Sequence, residues 1–465
     1  MMRLFLLLVL CSIAPVARAQ TFLSLDSCRT LALAHNTRAK AAQAQVEKMQ
    51  YETNAYHANF FPRISLQGMY LLSSGEFDYR NHYDLYNTPI PALVGMLPPV
   101  SGLDNAFLDR LYRSIALDLD ITVKPHNTYM AGIRFEQPVF MGGKITTAYR
   151  MAQIGKQMAQ LNLMRSREEL VLQTDRAYWE YVKTLELYRT ALAYRDAVGQ
   201  VCNDAQNGVE TGLLPENDRL KAQVRLGEAG LLLRQAENGR RLAQINLCMT
   251  VGLPLLTPVA PLDSLPDTAA ARRLETTPDV TARTEYALLN KQIELQRQQI
   301  NLARSAFLPQ IGITGGYMYL NGMTFNGGKL LDEASFSALV SFSVPITQWS
   351  EGVHRIRAAR ADLRIAEYRM QETLERLFLE IVKTENTLDE AALQTAIARD
   401  EYAQAAENLR IRHDRYEVGL ESLASLLEAQ ALWQQASSRY IEAKAALRIA
   451  ETDYLRVTGQ LEIKN

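Results

Sequence analysis

The chain has 465 residues, 48% of them hydrophobic, and its 50 Lys and Arg against 51 Asp and Glu leave a formal charge of −1. Such balance argues against a nucleic-acid binder. No stretch beyond the N-terminus approaches the ~20 uninterrupted apolar residues of a membrane helix, since Ile90 to Val100 is broken by Pro91, Pro98 and Pro99, so a bilayer could be crossed only as a β-barrel.

In chain order, residues 1–19 read as a secretory signal, with Arg3 as the positive start, Leu4 to Ala14 apolar, and Ala17-Arg18-Ala19 as the cleavage site. Lipid attachment at Cys11 is disfavoured by the bulky Leu10 before it. Cys28, Cys202 and Cys248 remain; being odd in number and outside any CxxC or Cys/His cluster, they read as small buried hydrophobes.

Ser24 to Asn59 predicts a helix, followed by a strand from Arg63 on which Ile64, Leu66, Tyr70 and Leu72 share one face and Ser65, Gln67 and Met69 the other. Residues 74–126, with Tyr79, His82, Tyr83, Tyr86 and five prolines, read as a long external loop that folds onto the mouth of a barrel. A second strand sets Tyr129, Ala131, Ile133 and Phe135 against Arg134 and Glu136. No proline interrupts Pro138 to Pro215, so a long helix is expected up to Gly212, reversing into a partner over Glu216 to Met249.

After a linker at 251–280 the order recurs. Thr281 to Phe307 predicts a helix; Ile311, Ile313, Tyr317 and Tyr319 oppose Gln310, Gly312 and Thr314; a short connection covers Asn321 to Ser335. Phe336, Ala338, Val340, Phe342, Val344 and Ile346 then oppose Ser337, Ser341 and Ser343. Between Gly352 and Gly419 lie 66 residues with neither Gly nor Pro, about 100 Å of helix. Ile356, Leu363, Met370 and Leu377, then Leu374, Ile381 and Leu388, mark a coiled-coil seam continued by Ala391, Ala398 and Ala405. Ser422 to Val457 is its antiparallel partner.

The recurrence has a fixed spacing. Pro138, Gly212 and Gly252 reappear as Pro345, Gly419 and Gly459 at an offset of 207, while Phe61-Pro62-Arg63-Ile64-Ser65 matches Leu308-Pro309-Gln310-Ile311-Gly312 at 247. The chain therefore reads as two repeats, 20–250 and 281–465, with 40 extra residues in the first external loop. Strands of about ten residues suit a tilted barrel, and tyrosines near several ends suit an aromatic girdle. A half-buried soluble sheet would alternate in the same way. Four strands cannot close a barrel, for which about eight is the least, so several chains must combine head to tail. The fold class is thus mainly α with a membrane β-barrel portion: long antiparallel helical hairpins, four strands per chain and duplicated halves.

Certain residues carry a likeness to a known family. Leu25 and Leu31-Ala32-Leu33-Ala34-His35-Asn36, then Phe60-Phe61-Pro62, Gln137-Pro138-Val139-Phe140-Met141-Gly142-Gly143, Val251-Gly252-Leu253-Pro254 and Tyr416-Glu417-Val418-Gly419 resemble the TolC-like outer-membrane efflux factors. The resemblance covers essentially all of the chain after the signal. It implies a homotrimer with a twelve-strand barrel in outer-membrane lipid and a twelve-helix tunnel through the periplasm. It also implies hairpin tips that meet a periplasmic adaptor and an inner-membrane pump, and neither catalysis, metal nor cofactor. The expected function is the exit duct of a tripartite efflux system for drugs and toxic compounds; alternatives are a type I protein or polysaccharide export duct and, in another class, a soluble periplasmic coiled-coil adaptor or scaffold.

Carried over from the tip glycines, Asp218 and Tyr416 take the places of a latch pair. Glu421 stands where that family has a basic latch residue, and Ser425 and Glu428 stand where it has two acids. Three copies of Glu428 around a narrow axis would favour cations. Gly212-Leu213-Leu214 and Gly419-Leu420 are expected to expose apolar side chains at the tips, where a helix could pack.

Overall fold

Glycines and prolines punctuate the fold where the repeat places them. The computed structural model describes residues 21–72, 77–83, 117–266, 279–325, 328–346 and 350–461. In chain order it comprises β1 (Thr21–Leu23), α1 (Leu25–His35), α2 (Thr37–Ala58), β2 (Arg63–Leu71), β3 (Phe77–Tyr83), β4 (Leu117–Met141), α3 (Lys144–Glu210) and α4 (Glu216–Val251). Then follow β5 (Val259–Pro261), a 3₁₀ turn at Val280–Ala282, α5 (Thr284–Ser305), β6 (Gln310–Phe325), β7 (Gly328–Ser343), α6 (Glu351–Glu417) and α7 (Leu423–Val457). The signal segment 1–19, most of the external loop and the linker residues 267–278 lie outside the described residues.

Duplication is visible in the backbone itself. Helices α3 and α6 are each 67 residues long and begin and end at equivalent positions. Gly143 precedes α3 with φ 81°, and its equivalent Ser350 has φ 67°, the one positive value outside glycine among the described residues. The turn pairs Gly212 and Gly419 (77° and 75°) and Gly252 and Gly459 (81° and 71°) are left-handed alike. After each of these the next amide donates to the carbonyl five residues back: Leu213 to Gly208, Leu420 to Arg415, Leu253 to Cys248 and Gln460 to Leu455, at 2.7–2.9 Å. This satisfies carbonyls that a helix end leaves open.

The chain forms two compact units. The first comprises Met1–Thr53, Arg150–Gln298 and Ala359–Asn465, and is helical apart from the parallel pair β1 and β5. Its central cluster packs Tyr178, Tyr181, Val182, Leu247, Cys248 and Val251 around Leu23 and Cys28. Buried polar groups tie distant segments together there. Arg29 grips Asp175 through two bonds of 2.7 and 2.5 Å, and the Thr452 hydroxyl donates to the same carboxylate at 2.7 Å. The Tyr178 hydroxyl donates to Asp263, which also accepts the Leu25 amide. Glu380 accepts from Arg283 at 2.8 Å and Arg456 at 2.9 Å.

The three cysteines are free and buried, as small hydrophobes would be; burial, then the charges of Asp263 and Asp175, push the Cys28 thiol up to about 12. Along α6 the expected seam is buried from Leu377 onward, through Ile381, Leu388, Ala391 and Ala398, whereas Ile356, Leu363 and Met370 are only half-buried.

The second unit, Asn54–Tyr149 with Gln299–Ala358, is built on an antiparallel sheet ordered β2-β4-β6-β7, with β3 pairing the first part of β4. Because β6 occupies the other side of β4, β3 lies end to end with β2 and the sheet is four strands wide. Two boundaries differ from the sequence reading. Residues 74–126 are not all loop, since β3 and the first ten residues of β4 fall within them. Likewise β6 and β7 occupy most of Asn321 to Ser335, leaving only 326 and 327 between them. Within 74–126 the loop reading passed over a strand signal: Leu117, Leu119, Ile121 and Val123 alternate with Asp118, Asp120 and Thr122, and this stretch pairs with β3. The β4–β6 register shifts at Pro125 and again at Pro138, where the missing N–H interrupts the ladder.

Candidate functional site

Strand register assembles single residues into surfaces. Across β2, β4, β6 and β7, Ile64 lies opposite Phe135, Leu66 opposite Ile133 and Tyr70 opposite Tyr129; Ile133 in turn faces Tyr317, which faces Phe336. Ile311 and Ile313 likewise meet Phe342 and Val340. The four apolar faces expected from the sequence therefore fuse into one continuous face. Its side chains are largely bare: Leu66 is 83% exposed, and Ile64, Tyr70, Phe336, Val340 and Phe342 are exposed with it.

The opposite face carries Ser65, Gln67, Arg134, Glu136, Gly312, Thr314, Ser337 and Ser341, with an Arg134–Glu136 ion pair at 2.8 Å. Exposed Met69 and Leu339 share that face, so it is mainly polar, and a sheet mainly polar on one side and openly apolar on the other suits lipid outside and water inside. Its outer strands, β2 and β7, each have one side without a partner strand among the described residues. Among the described residues no helix is long and apolar enough to cross a membrane.

At the far end of the long helices, in the first unit, four helix ends pack around Tyr194, Val198, Val201, Ala222, Leu423 and Leu426. The two tip turns carry the residues singled out by sequence. Gly212 and Gly419 have nothing within 4 Å of where a Cβ would sit, so their identity follows from positive φ alone. Leu213 and Leu420 are 83% and 70% exposed, but Leu214 is not: it folds back under the turn against Gly208, where a Cβ would lie 2.7 Å from its Cδ1, and joins the cluster. The apolar tip thus consists of Leu213, Leu420 and the neighbouring exposed Val418.

Tyr416 packs at the edge of the same cluster; burial, then the nearby charges of Asp204 and Asp218, raise its phenol pKa. The Asp218 charge thus acts on the Tyr416 phenol within one chain, and Asp218 also holds Lys221 at 3.3 Å.

Glu421, the departure from the family pattern, is enclosed by its own chain. Its carboxylate meets Arg412 at 2.9 Å and Arg415 at 3.9 Å and is 13% exposed. A hydrogen bond from Ser425, followed by the charges of Arg412 and Arg415, holds it below the usual carboxylate range. Ser422 caps α7, its hydroxyl accepting the Ser425 amide at 3.2 Å. Glu428, one turn further, is exposed. The sequence reading missed Arg412 and Arg415; the signal was an acid in a basic residue's place with two arginines within nine residues before it.

Comparison with known proteins agrees with this geometry. The profile of the family described as outer membrane efflux protein matches residues 29–253 and 287–460. Among solved structures, the Campylobacter jejuni CmeC outer membrane channel superposes with a TM-score of 0.69 at 17% identity, covering 94% of this chain and 87% of that one. The Vibrio cholerae outer membrane protein VceC gives 0.66 at 14% identity, with 94% and 96% covered. The open state of the Neisseria gonorrhoeae MtrE outer membrane channel gives 0.67 at 15%, with 94% and 88% covered. At these identities the likeness is one of fold. Curated protein sequences offer no match.

Proposed function

Since the chain belongs to the outer membrane efflux protein family, we propose that it is the outer-membrane exit duct of a tripartite efflux system, working as a homotrimer that conducts drugs and other toxic small molecules. The continuous bare apolar face across β2, β4, β6 and β7 carries this reading. A face of that kind is stable against lipid, and only closure into a barrel leaves no backbone edge within the bilayer. Four strands are half of the smallest membrane barrel, about eight, so closure recruits further copies. The barrel sits in the outer membrane and the hairpins extend into the periplasm.

The tips form the gate and the docking point. Asp218 and Tyr416 act as a latch, and Glu421, bound by Arg412, Arg415 and Ser425, stiffens the second tip in place of a link to a neighbour. Glu428, exposed on α7, forms a cation-favouring ring. Leu213 and Leu420 beside Gly212 and Gly419 offer an apolar contact for an adaptor, through which an inner-membrane pump supplies the energy. The conduit itself does no chemistry.

Fractionation with planar-bilayer recording tests this. Native protein is expected in outer membranes, giving small conductance steps that Asp218→Ala or Tyr416→Ala enlarge. Recovery in the soluble periplasm sinks the channel; unchanged conductance in both variants removes them from the gate.

A further inference from the structure

The two halves differ where their strands run into their helices. In the first half a cavity of about 480 Å³ opens there, wholly within the second unit, beside the end of α2 and the start of α3. Its surroundings are fixed locally. Phe60, at the exit of α2, meets Tyr149 of α3 edge-on, and His57 packs against both, with ring centroids 5.4–5.8 Å apart. Gln137 donates to the carbonyls of Phe60 and Pro138 at 3.1 and 2.9 Å, tying the turn before β2 to the register shift in β4.

The lining is amphipathic. Tyr56, Pro138, Met141 and Ile145 give it an apolar wall, while Arg63, Glu136 and Thr314, one row across β2, β4 and β6, give it a polar one to which Lys144 adds. The charges do not cancel. Glu136 pairs with Arg134 at 2.8 Å, whereas Arg63 donates only to the neutral Asn59 side chain and Lys144 forms no ion pair among the described residues. Two cations are left over beside an apolar wall.

Duplication alone does not produce this. In the second half Tyr56, Asn59, Arg63, Lys144 and Ile145 are replaced at equivalent places by Ala303, Ala306, Gln310, Glu351 and Gly352. There the Phe307 ring, equivalent to Phe60, lies over the glycine: a Cβ on Gly352 would be 2.9 Å from its Cδ1. With a side chain at Ile145, Phe60 packs on Tyr149 instead, and the space over α3 stays open. Glu351 reverses the charge of Lys144 and is held by Arg355 at 2.5 Å.

We infer that this cavity binds a small amphipathic anion, a carboxylate carried on an apolar body. The Arg63 guanidinium suits a carboxylate as a two-pronged donor, and the Lys144 ammonium adds a compact charge. The apolar body covers Tyr56, Met141 and Ile145 and removes them from water. The polar row belongs to the face that the duct reading assigns to water, where cargo passes; the binding itself does not rest on that reading.

Calorimetric titration with decanoate tests it, on the full-length protein in zwitterionic phosphatidylcholine nanodiscs with empty discs as the blank. Saturable binding of one decanoate per chain is expected, with decyltrimethylammonium a poor competitor. Arg63→Gln with Lys144→Glu, which installs the residues of the second half, is expected to weaken binding by about tenfold. Ile145→Gly, which lets Phe60 close the space without a change of charge, is expected to weaken it as well, and Glu136→Gln, which releases Arg134, to tighten it. The last variant keeps the test decisive if the double variant fails to assemble. No binding above empty discs, equal competition by decyltrimethylammonium, or the same affinity in all three variants overturns the site. Recovery of the protein from the soluble periplasm sinks the duct alone, because decanoate binding is then measured on the soluble protein in buffer.

Discussion

The two units bury opposite things. In the helical unit the large side chains are inside, Tyr178, Leu247 and Ile381 being fully buried, and polar ties such as Asp175–Arg29 are enclosed with them. In the sheet unit the large side chains are outside: Phe336, Phe342 and Val340 are bare, and the other face is mainly small or polar, Met69 and Leu339 excepted. A fold made in water has no reason to expose such a row, because at about 25 cal/mol per Å² each bare side chain forgoes stabilisation. In the proposed reading the difference reflects two solvents: the helices are organised by their own core, and the bare face of the strands meets lipid.

The largest expected effect tests the helical half of that contrast. Asp175→Ala removes the fully buried carboxylate that Arg29 and Thr452 share, leaving Arg29 only the exposed Asp26, and is expected to cost about 3 kcal/mol, read as a lowered denaturation midpoint. A loss below about 1 kcal/mol would mean that water replaces the carboxylate and the core is looser than described. Next, Leu66→Arg puts a charge on the apolar face and is expected to cost ~2–4 kcal/mol if that face meets the bilayer interior, read as lost outer-membrane assembly, while Ser65→Arg on the polar face assembles normally. Equal assembly of both would erase the distinction between the faces.

A smaller effect, about 1 kcal/mol, is expected for Ser422→Ala, which removes the α7 cap at the tip. Hydrogen exchange of the Ser425 amide should rise, with little change beyond the first turn. The smallest concerns acid. Burial opposes ionisation of Glu380, but hydrogen bonds from Arg456 and Arg283 outweigh it and hold its pKa below the usual value. Its stabilisation is present above the ordinary carboxylate pKa and is lost as pH falls through the lower folded value. Glu380→Gln should therefore be less stable than the native chain at neutral pH, and the gap should close on acidification. A constant gap would show that the carboxylate acts by shape rather than charge.

Much of this was legible beforehand because it is periodic. Offsets of 207 and 247 locate equivalent turns, and the backbone obeys them even at Ser350, where no glycine marks the place. The alternation of Ile64, Leu66 and Tyr70, or of Phe336, Val340 and Phe342, predicts faces without knowledge of neighbours. Family resemblance pointed to Asp218 and Tyr416, and the charge of the first acts on the phenol of the second within one chain; the tip turn pointed to Leu214 as exposed, but it turns inward because Gly208 leaves room for it. The early part of β4 and all of β3 were read as loop, since the five prolines and the tyrosines of 74–126 drew the reading away from the alternation of Leu117 to Val123.

The sequence by itself thus determined the repeat, the element order, the long helices and which strand residues share a face. Each of these follows from spacing along one backbone, with a period of 3.6 or 2 interrupted by residues that allow or forbid a turn. Only the tertiary structure decided that the four apolar faces fuse into one, that Arg29 and Thr452 enclose Asp175, and that Glu421 is held by two arginines. Those facts depend on side chains brought together by folding from distant parts of the chain, and no local period records which distant residue a given side chain will meet.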